Sequence, residues 1–213
     1  MILEFKGSPN KDKNRKPIDR IVLHWFGVGD LEAANKQFQK PGGTSAHYGI
    51  SGEKIYQWVL EKEVAYHAGD YPMNQRSVGI EHHATKDMPA SDLTYTTSIG
   101  LVTDICRRYD IPPDRTHILK HSEVVPTQCP GTLDITRIIE GVKRNLAKDN
   151  CEEIKKEKDK YKVEARDLRD KVIKLEAALN SCKIELDGYK NQTPKKVTEL
   201  LVDLLQAIKD RRW

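Results

Sequence analysis

Three side chains in this 213-residue chain carry the chemistry of a metal site: His24, His121 and Cys129. Two imidazoles and one thiolate suit Zn2+, and three protein ligands leave a fourth position open for water or substrate. His121 and Cys129 bracket a loop of seven residues, but the 97 positions from His24 to His121 form no local metal motif. On spacing alone, zinc competes with blander readings: a hydrogen-bonded core His, a solvent-exposed His and an ordinary buried Cys.

Short strands and helices must hold these residues. Ile21-Val22-Leu23-His24-Trp25 is an apolar, β-branched run that ends near Gly27, which predicts a buried strand. His47–Ile50 and Ile55–Val59 alternate around Ser51-Gly52-Glu53-Lys54 and predict a hairpin. Residues 77–81 and 118–120 predict two further strands. Apolar residues at helical spacing predict a helix over 91–109, stopped by Pro112-Pro113. Asp134 is placed to cap another, over 135–146. Strands interleaved with helices imply an α/β domain over residues 1–146, a central mixed β-sheet flanked by helices.

The words around these residues sharpen the reading. In order they are Ile21–Trp25, Ser45-Ala46-His47-Tyr48-Gly49-Ile50, Ile55-Tyr56-Gln57, Ala65-Tyr66-His67-Ala68-Gly69, Ser77-Val78-Gly79-Ile80-Glu81, and His121-Ser122-Glu123 running to Cys129-Pro130-Gly131. Together, over residues 8–146, the chain resembles the type 2 N-acetylmuramoyl-L-alanine amidases, which include bacteriophage lysozyme-type amidases and peptidoglycan recognition proteins. The resemblance implies a mixed sheet under an open groove. It implies zinc on His24, His121 and Cys129, and hydrolysis of the amide between the muramic acid lactyl group and L-alanine in bacterial peptidoglycan.

It also implies roles for neighbouring residues. Zinc polarises a carbonyl and acidifies water, and a carboxylate nearby moves the proton. Glu81 ends a predicted strand with no adjacent cation and is the candidate acid/base, against the alternative of a surface carboxylate. Many phage relatives carry Tyr where this chain has Ala46; cytosolic muropeptide amidases share the Ala and rely on the Glu that Glu81 matches. Thr127 stands where many members have Lys, and its hydroxyl is either a donor to the oxyanion or a loop cap. Trp25, Tyr66, His67 and Asn74 are expected on the substrate groove, with packing as the alternative for each. His47 is expected to be structural.

The remaining residues read differently. Residues 147–213 hold 17 Lys/Arg and 14 Asp/Glu, whereas all seven His lie at or before His121. With a at Cys151, Lys158, Ala165, Val172, Leu179 and Leu186, and d at Ile154, Tyr161, Leu168, Leu175, Cys182 and Tyr189, residues 151–189 follow a coiled-coil heptad. Gly188 and Asn191–Pro194 are expected to end it. A short amphipathic helix over 194–212 follows, its apolar stripe flanked by basic residues including Arg211 and Arg212. Such a seam needs a partner. Self-association through 151–213 is the expectation; an intramolecular hairpin and a wall- or membrane-surface module are the alternatives.

A formal net charge of +4 is too balanced for binding through a strong basic field, so no nucleic-acid partner is expected. No apolar run approaches the ~20 residues of a membrane span, and no secretory signal is read. Four Cys make no disulfide framework. These readings converge on a zinc amidase, an endolysin made in the host cytoplasm and acting on the bacterial cell wall. A non-catalytic peptidoglycan-binding protein and a coiled-coil assembly protein are the other classes.

Overall fold

The computed structural model describes residues 2–27 and 29–210, with the backbone alone at 150, 189–194, 207 and 210. The chain divides into two compact units, Met1–Cys151 and Glu152–Trp213.

The first unit is built on a six-stranded sheet. In chain order its strands are β1 (Ile2–Phe5), β3 (Arg20–Gly27), β4 (Tyr48–Ser51), β5 (Lys54–Gln57), β7 (Ser77–Thr85) and β8 (Ile118–Lys120), and two-residue strands β2 (Lys11–Asp12) and β6 (Val64–Ala65) pair separately. Across the sheet the order is β1-β5-β4-β7-β3-β8, and only the β4–β5 hairpin is antiparallel. The predicted strands and hairpin are all present. β1, short and on the edge with exposed apolar side chains, carried no recognisable period.

Residues 21–24 of β3 are all buried, on alternating faces of the sheet. Ile21 and Leu23 join a core formed with Val78 and Ile80 of β7, with α3 (Asp92–Tyr109) and with the start of α4 (Ile135–Asp210). Residues 22 and 24 face the opposite side by the two-residue period of a strand. There a second cluster gathers Leu31, Ala34 and Phe38 of α1 (Leu31–Phe38) around the buried Trp58. The sheet is covered on both faces, which its mostly parallel pairing requires.

Local chemistry sets the helix ends. The Ser91 hydroxyl accepts from the Thr94 N–H at 3.2 Å and starts α3. Asp110, in the left-handed conformation at φ 54°, ends it before the two prolines, its N–H bonded to the Cys106 carbonyl. Asp134 accepts from the Arg137 N–H at 3.0 Å at the start of α4, as expected. The short helices α1 and α2 (Tyr71–Arg76) escaped the periodicity. Each is capped by an Asp side chain, Asp30 or Asp70.

The C-terminal region departs from expectation. α4 runs without a break from Ile135 to Asp210, through Gly188 and Pro194, so among the described residues the separate helix expected over 194–212 is the continuation of one helix. Gly costs about 1 and Pro about 3 kcal/mol within a helix, and good helix formers, Leu, Lys and Glu among them, flank both. Arg211 and Arg212 lie outside the described residues, as do the side chains of Tyr189, Thr193 and Pro194.

One close contact ties the fold to the site. Gly49 pairs with Glu81 in the β4–β7 ladder, and a Cβ on it would meet the Trp58 ring at 2.3 Å. Trp58 is fully buried and cannot yield. Gly49→Ala is expected to cost about 1–3 kcal/mol, an overpacking penalty seen as a lower Tm in calorimetry.

Candidate active site

The sheet register assembles the site. His24 on β3 lies directly opposite Glu81 on β7. On the other side Leu23 pairs with Lys120, the last residue of β8, so His121 follows beside His24. His121 opens a 3-10 turn, His121–Glu123. The loop then returns to Cys129, whose carbonyl accepts from the Ser122 N–H at 2.9 Å. The Thr127 hydroxyl accepts from the Cys129 N–H at 3.2 Å. Residues far apart in sequence thereby converge: the ligand atoms of His24, His121 and Cys129 lie within 4.8 Å of one another, the one such cluster found among the described residues.

The donor set fits zinc. His24 Nδ1 faces Cys129 Sγ at 3.7 Å. His121 Nε2 is buried with no hydrogen-bond partner, and a buried lone pair left unused is costly unless something binds it. Burial, with the Glu81 charge beside it, pushes the Cys129 thiol up to about 12. A divalent cation is the partner that makes a thiolate favourable there.

A chain of hydrogen bonds lies behind His24. Its Nε2 is 3.0 Å from His67 Nδ1, His67 Nε2 is 3.3 Å from Ser77 Oγ, and Ser77 Oγ donates to the Met73 carbonyl at 2.6 Å. Because that carbonyl can only accept, every proton has one consistent place: Ser77 O–H to Met73, His67 Nε2–H to Ser77, His24 Nε2–H to His67. His24 Nδ1 then carries a free lone pair aimed at the cluster. Carbonyls of Asn74 and Ser77 accept from the Arg15 guanidinium at 2.7 and 2.8 Å. Ser77 opens one of the words noted in the sequence, but nothing there marked its hydroxyl for this chain, and Arg15 carried no signal because its partners are distant.

The expected groove residues separate into two groups. His67 is only 7% exposed and both its ring nitrogens are engaged. Asn74 is buried too, its Oδ1 accepting from the N–H groups of His67 and Ala68 at 3.0 and 2.8 Å. Both are buried, and Asn74 holds the 67–68 segment behind the His/His/Cys cluster. Tyr66 is half-buried, its backbone paired with Ser45. Trp25 lines a cavity of about 340 Å³ with Phe26, Gln37, Thr44 and Glu81. The Trp25 ring also packs on Gly131, where a Cβ would meet it at 2.0 Å.

Glu81 is set apart by what it lacks. Its Oε2 is buried without a hydrogen-bond partner, and burial raises the carboxyl to about 8. His47 is structural: Nδ1 accepts from the Gly79 N–H at 3.0 Å, and Nε2 lies 3.1 Å from the Glu63 carbonyl. His82 points to the other face, bonded to the His24 carbonyl and Ser98. His83 and His117 pair with Ser51 and Asp114, away from the cluster.

Burial holds four imidazoles neutral: His24 and His67 well below the ordinary value, His47 near about 3 and His82 near about 4. The unfolded chain protonates them near pH 6.5, so their contribution is complete above that pH and is lost progressively as pH falls from there towards the depressed folded values. Denaturant midpoints of the metal-stripped protein are expected to drop steadily from about pH 6.5 to pH 5. The chain behind His24 gives a second expectation. His67→Phe should weaken zinc binding about 10–100-fold in chelator competition, because the His24 tautomer is no longer held.

Comparison with known proteins agrees with this geometry. Residues 14–132 match the N-acetylmuramoyl-L-alanine amidase family. A probable N-acetylmuramoyl-L-alanine amidase of Bacillus licheniformis is 28% identical over 127 residues, 52% of this chain and 35% of that protein. The chain thus spans about a third of the length of the curated relatives it matches. Among solved structures, a selenomethionine derivative of AmpD superposes with a TM-score of 0.57 at 22% identity, covering 66% of this chain and 99% of that one. The amidase LysC from Clostridium intestinale URNW does so with a TM-score of 0.52 at 20% identity, covering 64% and 93%. These two show a shared fold; the family match over more than half of the chain shows descent, and the chain belongs to the N-acetylmuramoyl-L-alanine amidase family.

Proposed function

We propose that this protein hydrolyses the amide between N-acetylmuramic acid and L-alanine in peptidoglycan, with zinc on His24, His121 and Cys129, and works as a cell-wall-lysing endolysin. The observation that carries the reading is the placement of an unpartnered, buried carboxylate oxygen of Glu81 opposite His24, beside a His/His/Cys cluster. Structures sharing this fold include one described as a mutant endolysin from Bacillus subtilis, at 24% identity and a TM-score of 0.51. The proposed course is synthesis in a host cytoplasm, then action on the wall.

A zinc ion bound there supplies a Lewis acid that polarises the scissile carbonyl, acidifies water and favours the ionised forms of Glu81 and Cys129. Glu81 takes the proton of the attacking water at its free oxygen. The C–N bond then breaks, and Glu81 returns that proton to the leaving amine. Thr127 uses its oxygen to cap the Cys129 turn, and its O–H remains available to donate towards the developing oxyanion. Trp25 and the cavity beside Glu81 supply a flat apolar wall for the substrate, and Tyr66 is the second candidate on that side. The charged helix after residue 151 associates with itself, which would present more than one catalytic domain to a polymeric substrate.

Digestion of purified peptidoglycan, with and without a chelator, tests this directly. Stem peptides with a free L-alanine amine, lost on chelation, are expected by mass spectrometry; released disaccharides or cut cross-links would overturn the assignment. Glu81→Gln should retain zinc by metal analysis and lose at least about 100-fold in turnover. Near-normal turnover would remove Glu81 from the chemistry.

A further inference from the structure

We propose that the helix beyond residue 151 pairs with a second copy of itself as a parallel, in-register, two-stranded coiled coil. This rests on the self-association reading above and gives it a direction and a register.

Every described side chain from Glu152 to Gly188 is exposed, apolar ones included: Ile154 is 64% and Leu175 70% accessible. A shallow groove on this helix is lined by Ile154, Lys158, Tyr161 and Ala165, with Glu157 on one rim and Lys162 on the other. Those rims are the g and e positions of the heptad, and along the helix they form a code. Position e is Lys155, Lys162, Arg169, Glu176 and Lys183; position g is Glu157, Glu164, Lys171, Ala178 and Glu185.

In a parallel pair each g residue meets the e residue five positions on in the partner helix. The contacts are then Glu157 with Lys162, Glu164 with Arg169, and Lys171 with Glu176, all of opposite sign. The third pair is reversed relative to the first two, and this reversal sets the register. A slip of one heptad would bring Glu164 against Glu176, and Lys171 against both Lys183 and Arg169. An antiparallel pair sets e against e and g against g, so a mostly basic row would face itself, as would a mostly acidic one. Lys158 at an a position fits two strands, since a charged a residue can reach solvent from a dimer more readily than from a larger core. Within one helix, Lys162 and Lys171 make only exposed pairs with Asp159 and Asp167, which are weak enough to be exchanged.

Sedimentation equilibrium and thiol cross-linking of the 213-residue chain test the proposal. A dimer mass is expected. Diamide, itself reduced as two thiols become one disulfide, should give Cys182–Cys182 and Cys151–Cys151 links, because only like positions come within the ~7 Å a disulfide allows. The double variants Glu157→Lys/Glu164→Lys and Lys162→Glu/Arg169→Glu should each raise the dimer dissociation constant at least about tenfold, and a mixture of the two should restore pairing. A monomer at all concentrations would overturn self-association as well. A dimer linked Cys151 to Cys182 would overturn the orientation alone, and a larger assembly the strand number. Double variants that dimerise like the parent would overturn the charge code. None of these outcomes bears on peptidoglycan hydrolysis, which is read separately.

Discussion

The parallel pairing of β7, β3 and β8 is the constraint on which the site depends. His24, Glu81 and His121 become neighbours only because these three strands align in one register, with His24 opposite Glu81 and β8 ending one residue short of His121. A slip of one residue in either ladder would turn a functional side chain to the other face of the sheet. The register is held by burial. Ile21 and Leu23 of β3 and Val78 and Ile80 of β7 are wholly buried in the same core as Ile118 of β8. The positions between them are thereby aimed at the site.

The site then departs from the rule that buried polar groups are satisfied. Around it most polar groups are engaged, Arg15 Nε excepted: Asn74 holds two backbone N–H groups, His47 bridges to Gly79 and Glu63, and Glu61 is held by Tyr48, Arg108 and Tyr109. Within it, Glu81 Oε2 and His121 Nε2 are left without partners. Such vacancies are costly in a low-dielectric interior and are found where chemistry or a ligand uses them. The hydrogen-bond chain from Met73 through Ser77 and His67 to His24 plays the complementary part, since it spends every proton and leaves a lone pair pointing inward.

Beyond residue 151 the stabilising physics changes. None of the described side chains there is buried, and the helix depends on intrinsic propensity and on exposed charge pairs such as Lys162 with Asp159. Propensity and pairs of that kind are individually worth fractions of a kcal/mol. An apolar seam without cover, bordered by an ordered charge code, is what a second helix would complete.

Much of this was legible in the sequence, for identifiable reasons. The strand at 21–25, the hairpin over 47–59, the helix at 91–109 and the Asp134 cap each carry a local signal of period, turn or cap that the tertiary structure did not override. His24, His121 and Cys129 were recognisable by residue type together with the words around them. Tertiary structure alone decided the rest. The burial of His67 and Asn74 was not visible in a linear reading; it follows from packing, with Gly79 leaving space for the His67 ring. Ser77 meets His67 10 positions away and Arg15 meets Ser77 62 positions away, separations that no local pattern encodes. The continuity of α4 through Pro194 was likewise hidden, because a single proline is a local penalty while the helix is decided by the sum over its neighbours. Sequence determined which chemistry was available; the register of three parallel strands decided which atoms meet, because contact in a sheet is set by pairing and not by distance along the chain.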